Sequence, residues 1–369
     1  MKILYGVQGT GNGHISRARV MAKHFRERQD TKVTYLFSGR PAEDYFDMEV
    51  FGDHQFRQGL TFYVDSGKVK YLKSLQHDSF LEFFTEVRAL DLSHYDLVIT
   101  DFEPVTAWAA RLGNKPVIGL GHQYAFSHNV PREGENTFSR LLMKYFAPAR
   151  ESFGLHWARF GGSILPPIVE PELNQQAMEL DTDPRKIVVY LPFENQQEVT
   201  GLLQRIPQFK FVQYASNVTD AETSNVSLRK ANRAGFIRDL CSSRAVISNA
   251  GFELISESLQ LGLEILVKPL SCQPEQLSNA AALTELGLAT RVDQLSIEEI
   301  SSWLDRLPEA GEKSASINYP DVAAALVEWI VDGQHCDAQE LVNVLWAKCS
   351  KPMQDIRGVD TNLRDLKAA

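Results

Sequence analysis

The sequence predicts an α/β protein made of two doubly wound parallel sheets that face each other across a cleft. Three observations carry this. Short apolar runs, each long enough for one buried strand, alternate with stretches of helical apolar spacing, the alternation of a parallel sheet covered by helices on both faces. The alternation occurs twice, and the halves are separated by a polar, proline-containing segment at 161–184. In each half a strand runs straight into small residues and then a helix, and such sheets hold ligands beyond the carboxyl ends of their strands.

In chain order, residues 1–8 read as a buried strand, followed by the loop Gly9-Thr10-Gly11-Asn12-Gly13-His14 and a helix from Ile15 onward. Further strands are predicted at 32–37, 95–100 and 116–120, giving an N-terminal domain at 1–160. After the linker, a second domain at 185–335 has predicted strands at 186–191, 210–214, 244–248 and 264–267, and helices at 252–261 and 274–286. Helical spacing returns at 321–331 and 338–348, and the segment 336–369 is expected to form a C-terminal helix and tail packing back on the N-terminal domain.

Composition excludes several classes. At 369 residues, 44% hydrophobic and 23% charged, the chain has room for about two domains of ~150 residues. Its 38 basic against 47 acidic side chains give a net charge of -9, a field that repels nucleic acid. No stretch approaches the ~18 apolar residues of a membrane span, and the apolar run at 3–7 is too short for a signal peptide, which predicts a cytoplasmic protein. Cys241, Cys272, Cys336 and Cys349 form no C-x-x-C pair and have no histidine at zinc-ligand spacing, so they read as reduced thiols.

Chemistry is concentrated at four places. Gly9, Gly11 and Gly13 let the backbone turn sharply and present amides at a helix start, where an anion is favoured; the third glycine sits one residue too early for a dinucleotide fingerprint. His14, at the mouth of that loop, can deprotonate a hydroxyl near neutral pH, or it can simply pack against the loop. Asp101 ends a predicted strand at the same sheet edge, where its carboxylate could accept the imidazole N–H, fix its tautomer and raise its basicity. Equally, Asp101 or Glu103 could cap the helix starting near Pro104. Glu103, His122 and Gln123 lie toward the same rim and are candidate acceptor-side groups.

In the second half, the run from Arg244 ends in Ser248-Asn249-Ala250-Gly251-Phe252, whose free helix-start amides suit a diphosphate. Glu253 and Glu257 share a helical face, where Glu257 could accept from ribose hydroxyls or either could be a solvated side chain. Glu275 and Gln276 open the next helix and could hold sugar hydroxyls.

Gly9 to His14 resembles the first glycine loop of the GT-B glycosyltransferases, especially the MurG-like branch. Ser248 to Glu257, with Glu275-Gln276 and Asn279-Ala280, is similar to that family's nucleotide-sugar half. The resemblance implies two Rossmann-like domains and metal-independent, inverting transfer of a hexosyl or N-acetylhexosaminyl group from a nucleoside diphosphate sugar, a UDP-sugar first, to a hydroxyl of a lipid or glycan. His14 would be the base and Asp101 its orienting partner. The diphosphate would lie near Gly251, the ribose on Glu257 and the sugar near Glu275 and Gln276, with the base against the backbone of Phe236 and Ile237. Peripheral contact with the inner membrane face is also implied, with Phe62, Phe80, Phe83 and Phe84 as candidate residues, although such side chains are more often core. The chain departs from the pattern at Leu191-Pro192-Phe193-Glu194-Asn195-Gln196, where MurG-like enzymes carry a second glycine-rich loop. Asp181-Thr182-Asp183 imitates a metal-binding D-x-D but reads as a solvated turn, so no metal or cofactor is expected. The alternatives are a UDP-sugar 2-epimerase-like isomerase and a catalytically silent nucleotide-sugar-binding protein.

Overall fold

The computed structural model describes residues 1–60, 64–65, 68–69, 77–160, 163–216, 218–308, 316–333 and 337–350. In the N-terminal domain the strands are β1 (Lys2–Gln8), β2 (Lys32–Ser38), β3 (His54–Arg57), a separate hairpin of β4 (Val64–Asp65) and β5 (Lys68–Val69), then β6 (Leu97–Asp101), β7 (Val117–Gly121), β8 (Glu151–Leu155) and β9 (Ile164–Leu165). The main sheet has the order β3-β2-β1-β6-β7-β8-β9 and is parallel throughout. Its helices are α1 (Asn12–Glu27), α2 (His77–Ala89), α3 (Pro104–Leu112) and α4 (Thr137–Tyr145).

The second sheet is built from β10 (Lys186–Tyr190), β11 (Lys210–Ala215), β12 (Ala221–Glu222), β13 (Val226–Lys230), β14 (Ala245–Ser248), β15 (Glu264–Val267) and β16 (Thr290–Arg291). Its order is β12-β13-β11-β10-β14-β15-β16, with only β12 antiparallel. The helices here are α5 (Leu173–Met178), α6 (Gln196–Gln204), α7 (Arg233–Cys241), α8 (Phe252–Gln260), α9 (Pro274–Leu286), α10 (Ile297–Leu304), α11 (Val322–Val331) and α12 (Ala338–Lys348).

Both sheets are covered on two faces, which is why their strands are apolar without alternation. Ile3, Tyr5 and Val7 of β1 pack in one core with Ile15, Ala18, Met21, Ala22 and Phe25 of α1, while Leu4 packs in the opposite core with Val98, Val105 and Ala109. Each Ile, Leu, Val, Met or Phe among them, taken fully out of water, stabilises the fold by roughly 1.5–3 kcal/mol. Strand order reverses beside β1, where β2 and β6 leave on opposite sides, and again beside β10, between β11 and β14. A parallel sheet opens a crevice at each reversal. The first crevice holds the glycine loop and Asp101, and the second holds Leu191 to Gln196 and Ser248 to Gly251.

Some elements differ from expectation for clear reasons. Helix α1 begins at Asn12 rather than Ile15, with Gly11 as its extended cap residue, so Asn12, Gly13 and His14 form its first turn. Strand β9 lies within the segment read as linker and pairs with β8. The expected boundary at 335/336 falls between α11 and α12, and both helices touch the N-terminal domain. Trp329 of α11 meets Phe153 edge-on at 5.1 Å, and Asp332 is ion-paired with Arg28. The Trp346 indole of α12 donates to the Ile164 carbonyl at 2.9 Å. Of the four phenylalanines weighed between surface and core, Phe83 is core at 2% exposure, Phe84 is exposed, Phe80 is half-buried, and Phe62 lies outside the described residues. Among the described residues no helix is long and apolar enough to cross a membrane.

Candidate active site

Asp101 ends β6 fully buried, and the chain then turns through Phe102 in the left-handed region (φ 53°), a conformation costing an ordinary residue about 1–2 kcal/mol. That turn sets Glu103 as the cap of α3. Its carboxylate accepts from the amides of Val105 at 2.8 Å and Thr106 at 2.6 Å, and from the hydroxyls of Ser38 and Thr106, both at 2.6 Å. Glu103 is therefore not an acceptor-side group: it has no exposed surface, and burial pushes its carboxyl above the usual range. Changing Glu103 to alanine removes the cap and leaves Ser38 and Thr106 without their partner. The expected result is a loss of about 2–3 kcal/mol in urea unfolding with kcat little changed; a selective loss of acceptor affinity in a stable variant would restore the sequence reading.

His14 meets Asp101. Its Nδ1 lies 2.7 Å from Asp101 Oδ1, so a proton on Nδ1 is held by the carboxylate and the lone pair of Nε2 faces the cleft. There the Gln123 amide approaches Nε2 at 3.3 Å and also donates to Glu275 at 3.2 Å. Arg17, 1% exposed, takes the rest of Asp101: its Nε donates to Oδ2 at 2.8 Å and Nη2 to Oδ1 at 2.5 Å. Burial opposes the charge on Asp101, but Arg17 and His14 outweigh it and hold the carboxyl below the usual range. Arg17 then crosses the cleft through Nη1 to Glu253 of α8. Gly13 leaves room for this pair, because a Cβ there would displace the Glu253 carboxylate.

Opposite, α8 starts at Phe252 after Gly251, which has no side chain to cap it, so the first-turn amides are left for a ligand. The side chains around this start are committed to the protein. Ser248 Oγ donates to the Asn249 carbonyl at 2.9 Å, and Asn249 Nδ2 donates to the Lys268 carbonyl at 2.9 Å, leaving Asn249 Oδ1 buried without a partner. The Ala250 carbonyl accepts from Asn279, and the Phe252 ring stacks on His122 at 4.2 Å. The amides of Asn249 and Gly251 are also spent, on the Tyr190 and Asn249 carbonyls at 3.4 and 2.8 Å, so the donor role read for this segment falls to the backbone of Ala250 and of the first turn from Phe252.

Glu257 is 6% exposed and accepts from Arg233 Nη2 at 2.8 Å. It borders a cavity of about 100 Å³ that is also lined by Asn12, Arg19, Tyr190, Asn232, Arg233 and Phe236, directly between the domains. A wider groove of about 730 Å³ adjoins it at Ser16, Arg19 and Arg233 and runs along α1.

Three further readings are corrected. Phe236 and Ile237 lie inside α7 rather than in a loop, and the Phe236 amide is spent on the Asn232 carbonyl at 3.1 Å. Ile237 is core, and from this segment the cavity is lined by Ala231, Asn232, Arg233 and Phe236 instead. Gln276 turns inward, its Oε1 accepting the Leu270 amide at 3.0 Å, while Glu275 stays in the cleft with Gln123. His122 is 1% exposed, with Nδ1 on the Leu155 carbonyl at 2.8 Å and Nε2 on Asn279 at 2.6 Å, so it joins the domains and does not face a substrate.

Sequence reasoning missed Arg17, although its i,i+3 spacing from His14 placed both on one helix face. It also treated Glu253 as a solvated residue, since its partner lies 236 positions away. Asp183 holds the Arg185 amide and Lys210 at the start of β10, the sheet end away from the cleft. Among the described residues no group of three or more His, Cys, Asp or Glu is placed to hold a metal, and Cys241, Cys272 and Cys349 are free thiols.

Two such domains facing across a cleft are the architecture of the GT-B glycosyltransferases, and solved structures of that kind share it. The kitacinnamycin glycotransferase matches at 13% identity over 94% of this chain and 98% of its own (TM-score 0.60). LpCGTa, solved in complex with UDP, matches at 13% over 95% and 99% (0.56), and MurG of Acinetobacter baumannii at 15% over 94% and 99% (0.52). The chain belongs to the family described as Glycosyl transferase family 1, which matches residues 1–308. No curated protein matches it.

Proposed function

We propose that the protein transfers a sugar from a nucleoside diphosphate sugar to an acceptor hydroxyl with inversion and without a metal. The observation that carries this reading is the Asp101–His14 pair set opposite the uncapped start of α8. The acceptor hydroxyl gives its proton to His14 Nε2 as its oxygen attacks the anomeric carbon. The bond from that carbon to the diphosphate oxygen breaks, and the nucleoside diphosphate leaves toward the amides of α8, which supply the electrostatic stabilisation a metal would otherwise give. A base on the face opposite the leaving group makes a single displacement, which inverts. Glu275 and Gln123 border the sugar position, Glu257 the ribose, and Phe236 with Ala231 and Asn232 the base.

UDP is the first donor base to test, because the similar LpCGTa was solved with it. A lipid or glycan acceptor, and peripheral contact with a membrane face, find support in exposed apolar side chains of the N-terminal domain: Leu81 and Phe84 on α2, Leu112 on α3, and Leu141 and Tyr145 on α4. The Gln123 amide on His14 Nε2 favours one second reading, nucleotide-sugar binding without turnover, since it occupies the position an acceptor hydroxyl needs.

A thermal-shift series with UDP-, GDP- and dTDP-sugars tests the donor site. A true donor at 100 times its Kd is expected to add about 2.7 kcal/mol of stability. Turnover of that donor, followed as released nucleoside diphosphate, is expected to persist in excess chelator. Stabilisation by none of the three would sink the donor reading, loss of turnover with chelator would sink metal independence, and binding with no transfer to any acceptor would favour the silent reading.

A further inference from the structure

The loop at 191–196 lacks the glycine amides that would face a diphosphate, and its Glu194 also neutralises Lys268, at 2.5 Å. Charge at the start of α8 is unfavourable as well. Arg17 is shared by two carboxylates, Asp101 and Glu253, and Arg233 is held by Glu257. A diphosphate entering this region meets an excess of negative charge unless other cations face it.

Two cations of the N-terminal domain stand here, Arg19 in the wall of the cavity and Arg40 behind Asn12. Arg19 lines the cavity of about 100 Å³, and its guanidinium donates only to the backbone carbonyls of Phe46 at 2.7 Å and Asp47 at 3.3 Å. Arg40 donates to Asn12 Oδ1 at 3.0 Å and lies over the Tyr45 ring at 4.3 Å, while its Nε is buried without a partner. Asn12 in turn reaches the Tyr190 hydroxyl at 3.4 Å, immediately before the altered loop. Among the described residues neither arginine donates a hydrogen bond to a carboxylate, although Asp47 and Glu170 act on Arg19, and Asp44 on Arg40, from farther off. Burial first, then the charge of Arg233 and, more weakly, that of Arg40, push the Arg19 guanidinium down to about 10, outweighing the Asp47 and Glu170 carboxylates that raise it. Arg19 thus lines the cavity and Arg40 stands behind Asn12 of its lining, and two half-buried guanidiniums so placed are stabilised by an anion lying between them.

The geometry points to Arg19 and Arg40 as diphosphate-binding residues that act across the cleft, supplying the charge that the C-terminal loop no longer does. This assignment rests on the donor reading above. The anion is a nucleoside diphosphate because Phe236 and Glu257 line the same cavity, and the first turn of α8 continues from it at Glu253 and Leu254.

Calorimetric titration of the full-length protein with UDP, GDP and dTDP, and NMR titration with uridine, guanosine and thymidine, separate the phosphate contribution from that of the base. Arg19→Gln and Arg40→Gln are each expected to weaken the diphosphate that the wild type binds by about 10- to 100-fold, the scale of a charge-assisted contact, while shifting its nucleoside by less than about threefold. Arg19→Lys keeps the charge and is expected to retain part of the affinity; unchanged thermal unfolding of all three variants checks the fold. Wild-type diphosphate affinity in both glutamine variants, or an equal loss for nucleoside and diphosphate, overturns the assignment and leaves the donor reading standing. A wild-type protein that binds none of the three diphosphates overturns both.

Discussion

Alanine at position 14 is expected to lower kcat by about 10²- to 10⁴-fold, the range for losing a general base, with nucleotide affinity nearly unchanged. The two halves of that expectation come from different surfaces. His14 projects from the first turn of α1 with its Nδ1 tied to Asp101 at 2.7 Å, and the cavity proposed for the nucleotide is lined by Arg19, Tyr190, Phe236 and Glu257 instead. Removing the imidazole deletes the proton acceptor without opening that cavity. Asp101→Asn is the companion variant. An asparagine can still accept through its oxygen from Nδ1–H, but it forfeits the charge that Arg17 clamps, so both turnover and stability are expected to fall. Unchanged turnover in the alanine variant, measured as sugar transferred per second at saturating donor, would remove His14 from the chemistry and leave the cleft as a binding site.

How far the sequence disclosed this site depends on the range of the interaction. Local pattern was enough for α9 and α12, whose predicted and observed ends coincide, and for the strand-to-helix turns at Gly9 and Ser248. It was enough also to suggest His14 and Asp101, because parallel strands bring their carboxyl ends to one edge whatever the loop lengths. It could not separate Asp101 from Glu103. Two positions apart at that edge, one orients a histidine and the other caps a helix, and the difference is made by a single left-handed residue, Phe102. Nor could it show that His122 and Phe252 stack on each other, since each belongs to a different domain and each looks like a rim residue within its own half. The same limit hid Gln276, which a backbone amide in its own loop captures.

Arg17 is where the domains, the base and the fold depend on one side chain, and its removal is expected to have the largest effect on stability. At 1% exposure it serves Asp101 with two nitrogens and Glu253 with a third. Arg17→Met keeps much of the volume and leaves a buried carboxylate without its counter-charge, which costs about 3–5 kcal/mol. The sign of the pH dependence follows from Asp101. In the wild type its folded pKa lies below the unfolded value of about 3.9, so its contribution is fully present above that value and is lost only as pH falls through the lower folded one. In the variant, burial is no longer outweighed by the guanidinium, so the carboxyl rises instead, and protonation relieves the buried charge as the solution is acidified. Urea unfolding of the two proteins is therefore expected to differ most at pH 7 and to converge as pH is lowered toward 5. A gap that is absent at pH 7, or that widens with acid, would mean that Asp101 and Glu253 find other partners. Because Arg17 also closes the cleft onto Glu253, the variant is expected to open more readily and to expose His14 to water, so kcat falls with stability while Arg17→Lys, keeping one charged contact, lies between the two.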